Sequence, residues 1–348
     1  MTQASEEPLV IDIDRSCSRR AMLGGALAGG LATVLASCGA GAESRPRRLR
    51  TPYRFGLHVD ERNLDGNLAH AEQLAKRKAD VVLLFAKLYD PIGSRIRQLM
   101  QAGYEVALTL EWWDDGGQPH DRAYSLREIA AGRHDAAFDR WLREFRDLPR
   151  PIHLRPLHEF NGDWYPWGVY GPHNRPADFI PAWRHLTRHA RAVAGDRVLL
   201  QLCCNRLHAQ GKQERLARFY PGDEDVDEVV INGYMRLGKR RWRQFVEIIG
   251  PFYEQLRAIN PSKPLWIGET ACTEQGGDKA AWITGMFEAV LSTHPVACLT
   301  WFNEYVEIPG EPERDWPFDT SRRALHAFQE GVRRTQGRPE LSSIRWDS

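Results

Sequence analysis

A (β/α)8 barrel, the α/β TIM-barrel fold in a single domain, is the architecture this sequence predicts, and three observations predict it. Eight short, apolar, largely β-branched segments lie between Pro52 and Glu304. Amphipathic stretches separate most of them, so the order is strand, helix, strand nearly throughout. Eight such units in roughly 250 residues is the size of such a barrel.

The strand segments are 53–58, 81–86, 105–111, 152–159, 198–205, 228–234, 265–269 and 297–303. Near-continuous apolar runs of this kind suit parallel strands covered on both faces. Helical periodicity falls at 68–78, 94–103, 137–146, 179–194, 242–259 and 279–293, with a closing helix at 319–328 and a loose polar tail at 334–348. A doubly wound sheet is the structural alternative, but no Gly-x-Gly-x-x-Gly follows the first strand. Neither an internal repeat nor a second domain is evident.

Composition narrows the partners. The 348 residues are 42% apolar and 27% charged, which excludes a disordered or collagen-like chain. Forty-seven Lys and Arg balance forty-six Asp and Glu for a net charge of +1, so no basic field exists to hold nucleic acid. The twelve Trp and twelve His are the unusual content.

Residues 1–38 read as an export signal. Arg19-Arg20 precedes an uncharged run rich in Ala, Gly and Leu that ends in Leu35-Ala36-Ser37-Cys38. Those four residues resemble a bacterial lipobox, which would make Cys38 a lipid anchor on the extracytoplasmic face of the membrane. A spanning helix is the competing reading, but the run is short and Gly-rich for one. Residues 39–51 form a flexible tether and residues 52–333 the barrel. Of the remaining cysteines, Cys203, Cys204, Cys272 and Cys298 read as small buried hydrophobes, with a Cys272–Cys298 bridge left open by the exported context. The sequence has no Cys-x-x-Cys or Cys/His ligand spacing, so neither metal nor cofactor is expected, and the chain is read as a monomer.

In a barrel of this type function gathers at the C-terminal ends of the strands. Those ends carry His58, Glu111-Trp112-Trp113, His158-Glu159-Phe160-Asn161, Asn232 and Tyr234, Glu269, and Trp301 to Glu304. Carboxylates and indoles on one rim suit a sugar: aromatic faces stack on its C–H face while acids and amides take its hydroxyls. Glycoside hydrolysis needs two carboxyl groups flanking the anomeric carbon, and Glu159 and Glu269 end strands that lie across the barrel mouth from each other. Tyr234 ends the strand beside that of Glu269, within reach of its carboxylate.

The segment Arg155-Pro-Leu-His-Glu-Phe-Asn-Gly-Asp-Trp-Tyr-Pro-Trp-Gly168 resembles the acid/base segment of glycoside hydrolase family 26, best known for β-mannanases. Ile267-Gly-Glu-Thr-Ala271 resembles that family's nucleophile segment, and the similarity runs from Phe55-Gly-Leu-His58 to Trp301-Phe-Asn303 and Asp315-Trp316. The resemblance implies Glu159 as acid/base, Glu269 as nucleophile, His158 as a group that orients the acid or binds substrate, Trp164 and Trp301 as sugar platforms, and Tyr234 as a donor to Glu269. His58, Asn161 and Trp112 are further candidates for substrate contact. His58 reads equally well as a satisfied core histidine, and Trp112, Trp113 and Trp167 as either subsites or barrel caps. Glu111 is expected to pair with Arg155, and Asp114 to Gly117 to form a solvated turn. The expected activity is retaining endo-hydrolysis of a β-linked polysaccharide, mannan first and mixed-linkage glucan or xylan next. A carbohydrate-binding barrel without catalysis is the reading from a different class.

Overall fold

The structure, a computed structural model, describes residues 53–114, 118, 120–206, 215–236, 241–306 and 314–336. The expected signal, Cys38, the tether, the turn at 115–117 and the tail beyond 336 lie outside the described residues.

Eight parallel strands close into a barrel in sequence order. They are β1 (Arg54–Val59), β2 (Val81–Lys87), β3 (Glu105–Glu111), β4 (Ile152–Arg155), β5 (Val198–Asn205), β6 (Glu228–Met235), β7 (Leu265–Cys272) and β8 (Cys298–Asn303). Pairing of β8 with β1, Leu57 opposite Trp301, completes the ring. Around it run α1 (Leu64–Ala75), α2 (Gly93–Gln101), α3 (Leu126–Ala130), α4 (Asp135–Arg146), α5 (Phe179–Ala194), α6 (Phe245–Ile259), α7 (Lys279–Leu291) and α8 (Arg322–Thr335). The short α3 escapes the periodicity argument because five residues barely span a turn. The closing helix starts later and runs further than 319–328, its first turn capped by Ser321, whose hydroxyl accepts from the Ala324 amide.

Two apolar layers result. Inside the barrel, Val81, Leu83, Ala107, Cys203, Val230, Trp266, Ala297 and Cys298 fill the floor. A larger layer lies between strands and helices. All four cysteines of the described residues are buried and free, so Cys272 and Cys298 are not bridged. The Cys272 thiol turns to the Thr273 carbonyl, and Cys298 to the Thr300 hydroxyl.

Two departures from regular strand geometry prepare the mouth. First, β4 stops at Arg155 rather than running to 159, because Pro156 has no N–H to give the ladder. The chain turns instead, and Glu159 takes a left-handed backbone with φ of 53°, its amide donating to the Cys203 carbonyl on β5. A glutamate in that region is strained, and such strain clusters at functional sites. Second, the β6–β7 register shifts so that Asn232 pairs with Glu269, passing over Gly268. The β7–β8 register shifts at the same place. A bulge of this kind re-aims a side chain, here the carboxylate of Glu269. Only glycine fits at 268, since a Cβ there would stand 2.3 Å from a Val230 methyl and 3.0 Å from the Arg155 guanidinium carbon.

Candidate active site

A cleft of about 820 Å³ opens at the C-terminal ends of the strands, and Glu159 and Glu269 both line it. Each carboxyl is buried. Glu159 accepts from the Trp164 indole at 2.9 Å on one oxygen and from the Asn232 amide at 3.0 Å on the other. Trp164 reaches back to it across Gly162, where a Cβ would collide with the indole at 2.5 Å. Glu269 accepts from the Tyr234 hydroxyl at 2.6 Å and lies 3.4 Å from the Arg155 guanidinium. Arg155 has no exposed surface, donates to the Gln201 side chain at 2.6 Å, and also faces the Gly268 carbonyl.

Burial and the neighbouring Glu159 push the Glu269 carboxyl up to about 7, against the opposing pull of Arg155 and Tyr234. Because each carboxyl feels the charge of the other, the two do not ionise independently, and the pair keeps a proton into the neutral range. Arg155, in contact with Glu269, favours negative charge on that carboxyl. Burial and the Glu269 charge hold the Tyr234 hydroxyl far above its ordinary range, so it stays a donor.

The rest of the wall is aromatic and polar. Trp164, Tyr165, Phe85 and Phe302 present half-buried ring surface to the cleft. Trp316 stacks on Tyr234 with ring centres 4.4 Å apart. His58 lines the cleft as well: one nitrogen donates to the Leu83 carbonyl and the other meets Glu304 at 3.1 Å. Burial opposes charge on His58, but these two acceptors outweigh it and raise its pKa.

A family model described as glycosyl hydrolase family 26 matches residues 130–275. The chain is 30% identical over 292 residues to Endoglucanase H of Acetivibrio thermocellus, an alignment covering 80% of this chain and 30% of that protein. It is 27% identical over 172 residues to a mannan endo-1,4-beta-mannosidase of Bacillus subtilis, covering 47% and 42% respectively. These matches support glycosyl hydrolase family 26. The chain spans less than half the length of these two curated relatives. Among solved structures, the YdhT protein from Bacillus subtilis superposes with a TM-score of 0.61 at 16% identity, over 82% of this chain and 87% of that one, a likeness of fold.

Four candidates for substrate contact, Trp301 and His158 from the resemblance and Trp112 and Asn161 from the residues themselves, do not line the cleft. Trp301 is fully buried behind β8, donating to the Trp316 carbonyl and packing on Phe328 and Trp282. Strand alternation sends its neighbour Phe302 to the cleft instead. Trp112 is buried beneath α4 against Phe138, its indole donating to the Pro156 carbonyl. Asn161 is a clip, exchanging hydrogen bonds with the Asn205 backbone and securing the β4 loop to β5. His158 is buried among Phe85, Tyr165 and Trp167, and neither ring nitrogen has a hydrogen-bond partner. Burial, with Arg155 nearby, pushes its pKa down to about 3, so it is a neutral packing group that contacts neither carboxyl by hydrogen bond. Glu111 accepts from Trp113 rather than pairing with Arg155.

Sequence reasoning missed Asn232 and Arg155 as partners of the two glutamates. Asn232 had been visible as a strand-end amide, and Arg155 stood at the head of the family segment. Neither position announces which carboxylate it meets.

Proposed function

We propose that the chain is a retaining endo-β-glycosidase acting on a β-linked polysaccharide, with Glu159 as acid/base and Glu269 as nucleophile. The observation that carries this reading is the pair of buried glutamates on one aromatic-walled cleft, each held by two side-chain donors. In the first step Glu159 gives its proton to the glycosidic oxygen while the Glu269 carboxylate attacks the anomeric carbon, and the leaving sugar departs. In the second, Glu159 takes a proton from water, the water oxygen bonds to the anomeric carbon, and Glu269 is released. Arg155 and Tyr234 keep the attacking carboxylate charged and turned. Asn232 and Trp164 fix the acid.

A retaining pair requires carboxyl groups about 5–5.5 Å apart. Asn232, paired in register with Glu269 and bonded to Glu159, supports that closeness. Retention gives the β-anomer as first product, read by proton NMR before mutarotation, and labelling of Glu269 by a 2-fluoro glycoside. An initial α-anomer would reject the nucleophile role.

Mannan is the first substrate of this proposal, in keeping with the mannosidase relative. The similarity to Endoglucanase H favours β-glucan as the second reading. A panel of mannans, β-glucans and xylans with product identification separates them. Export through Arg19-Arg20 and lipid anchoring at Cys38 complete the proposal. Normal lipidated mature protein from Cys38→Ala would overturn the anchor.

A further inference from the structure

A second cluster of chemically capable side chains lies on the outer wall, where α4 meets α5. His185 and His189 stand four residues apart on α5, and Asp135 and Asp139 four apart on α4. That spacing puts each pair on one helix face. The Asp135 carboxylate bridges both rings, one oxygen 2.7 Å from His185 Nε2 and the other 3.1 Å from His189 Nε2. Asp139 meets His189 Nδ1 at 3.0 Å. The two imidazole centres are 4.8 Å apart, and one ligand atom each from Asp135, His185 and His189 falls within 4.8 Å of the others.

We propose that these residues form a binding site for a divalent ion of the zinc class, with His185 Nε2, His189 Nε2 and the Asp135 carboxylate as ligands. Three features point there. Two imidazoles and one carboxylate suit zinc and its late transition-metal neighbours, whereas calcium and magnesium require an all-oxygen shell. The carboxylate-to-nitrogen distances are already near the roughly 3.3 Å between neighbours in a tetrahedral shell with bonds of about 2.0 Å. Asp139, behind His189, holds Nδ1 and leaves Nε2 free to coordinate, the carboxylate–histidine–metal arrangement that fixes ring orientation.

The four side chains are 16–30% exposed, so an ion enters from solvent and water takes the fourth position. The site has a place in the architecture. Helix α4 leads into β4 and α5 follows the loop that carries Glu159, so an ion ties together the two helices flanking that loop. The His185-x-x-x-His189 spacing was legible as a chelating pair, but a search directed at cysteine spacing passes over it.

The test uses the full chain, stripped with chelator and titrated with zinc chloride alone, with metal content and melting temperature as readouts. The expected result is zinc bound at this site with a rise in Tm. One equivalent of that zinc and the rise disappear in the His185→Ala/His189→Ala double variant, and affinity falls about 10–100-fold in Asp139→Asn. Magnesium should neither compete nor raise the Tm. His185→Gln, which leaves α5 polar and helical, gives the same readout should the double variant fail to fold. No bound zinc in the wild-type chain, or equal zinc in wild type and histidine variants, overturns the proposal.

Discussion

The two ends of the barrel hold nearly the same chemical inventory and use it in opposite ways. At the floor, buried His153 lies between Glu228 at 2.8 Å and Glu105 at 3.1 Å, and Glu105 also pairs with Arg54. At the mouth, Arg155 pairs with Glu269 alone, and Glu159 is held by the neutral donors Trp164 and Asn232. Burial alone would neutralise His153, but its two carboxylates outweigh that and hold it at about 9, while Glu105 is pulled down to about 2. The floor is charge-balanced and closed, and Trp266 packs on its imidazole at 4.5 Å. The mouth sets two buried carboxyls beside a cleft, and burial together with the like charge of Glu159 pushes Glu269 the other way. Matched charge makes a clamp, and mismatched charge beside open space makes a pair poised to exchange a proton.

The two ends are also joined. Arg155 donates to Gln201, and Gln201 donates to Glu228 at 2.7 Å, so a continuous series of polar contacts runs from Glu269 to His153 through the barrel interior.

The largest expected effect sharpens the contrast from the mouth. Glu269→Ala should lower turnover on the order of 10⁴–10⁶-fold for every substrate, as removal of a nucleophile does. Glu159→Ala should spare formation of the intermediate from activated aryl glycosides and cripple natural substrates. Steady-state and burst kinetics on the two substrate classes distinguish the variants, and equal, modest losses from both would reduce the pair to structural residues.

From the floor, His153→Gln should cost about 1–3 kcal/mol, because Glu228 and Glu105 lose the imidazolium between them while Glu228 keeps Gln201 and half-buried Glu105 keeps Arg54. It should leave kcat at permissive temperature nearly unchanged. The pH dependence has a definite sign. A histidine whose folded pKa is raised to about 9 contributes stability that is complete below its unfolded value near 6.5 and is lost as pH rises through 9. The wild-type Tm should therefore decline across that window more steeply than that of His153→Gln. Parallel curves would show that His153 is not the charged centre of the clamp.

The proton shared at the mouth makes a further, smaller prediction. Loss of that proton near pH 7 should bring an alkaline fall in kcat/KM, about tenfold per pH unit. In Glu159→Gln, assayed with an activated glycoside, the alkaline limb should vanish and the acid limb move down, since the like charge that raised Glu269 is gone. An unchanged profile would break the account of the coupled pair.

Gln201→Leu cuts the connection between the ends. Unpairing Arg155 Nε should cost about 1–3 kcal/mol of stability, measured by denaturant unfolding. A small fall in kcat should accompany it, through a guanidinium less firmly aimed at Glu269.

Much of this protein was written in its sequence by period and composition. The eight apolar runs between helical patterns specify a closed parallel barrel because nearly every residue of such a strand is covered on one side or the other. The same argument puts Glu159 and Glu269 at strand ends on a common rim; in the structure both line one cleft, Glu159 from the loop after β4 and Glu269 from within β7. Tertiary structure decided what lies one residue or one partner away. Whether Trp301 or Phe302 faces the cleft depends on strand register, and period 2 sends adjacent side chains to opposite faces. The bulge at Gly268 is a relation between β6, β7 and β8, so no local pattern in β7 announces it. Arg155 meets Glu269 rather than Glu111 because its side chain crosses the barrel interior, a distance that chain order does not encode. Asn161 became a clip because Pro156 ended β4 early and brought the amide against Asn205. Burial patterns are local and survive in one dimension, whereas the partner of a buried polar group is set by the closure of the barrel.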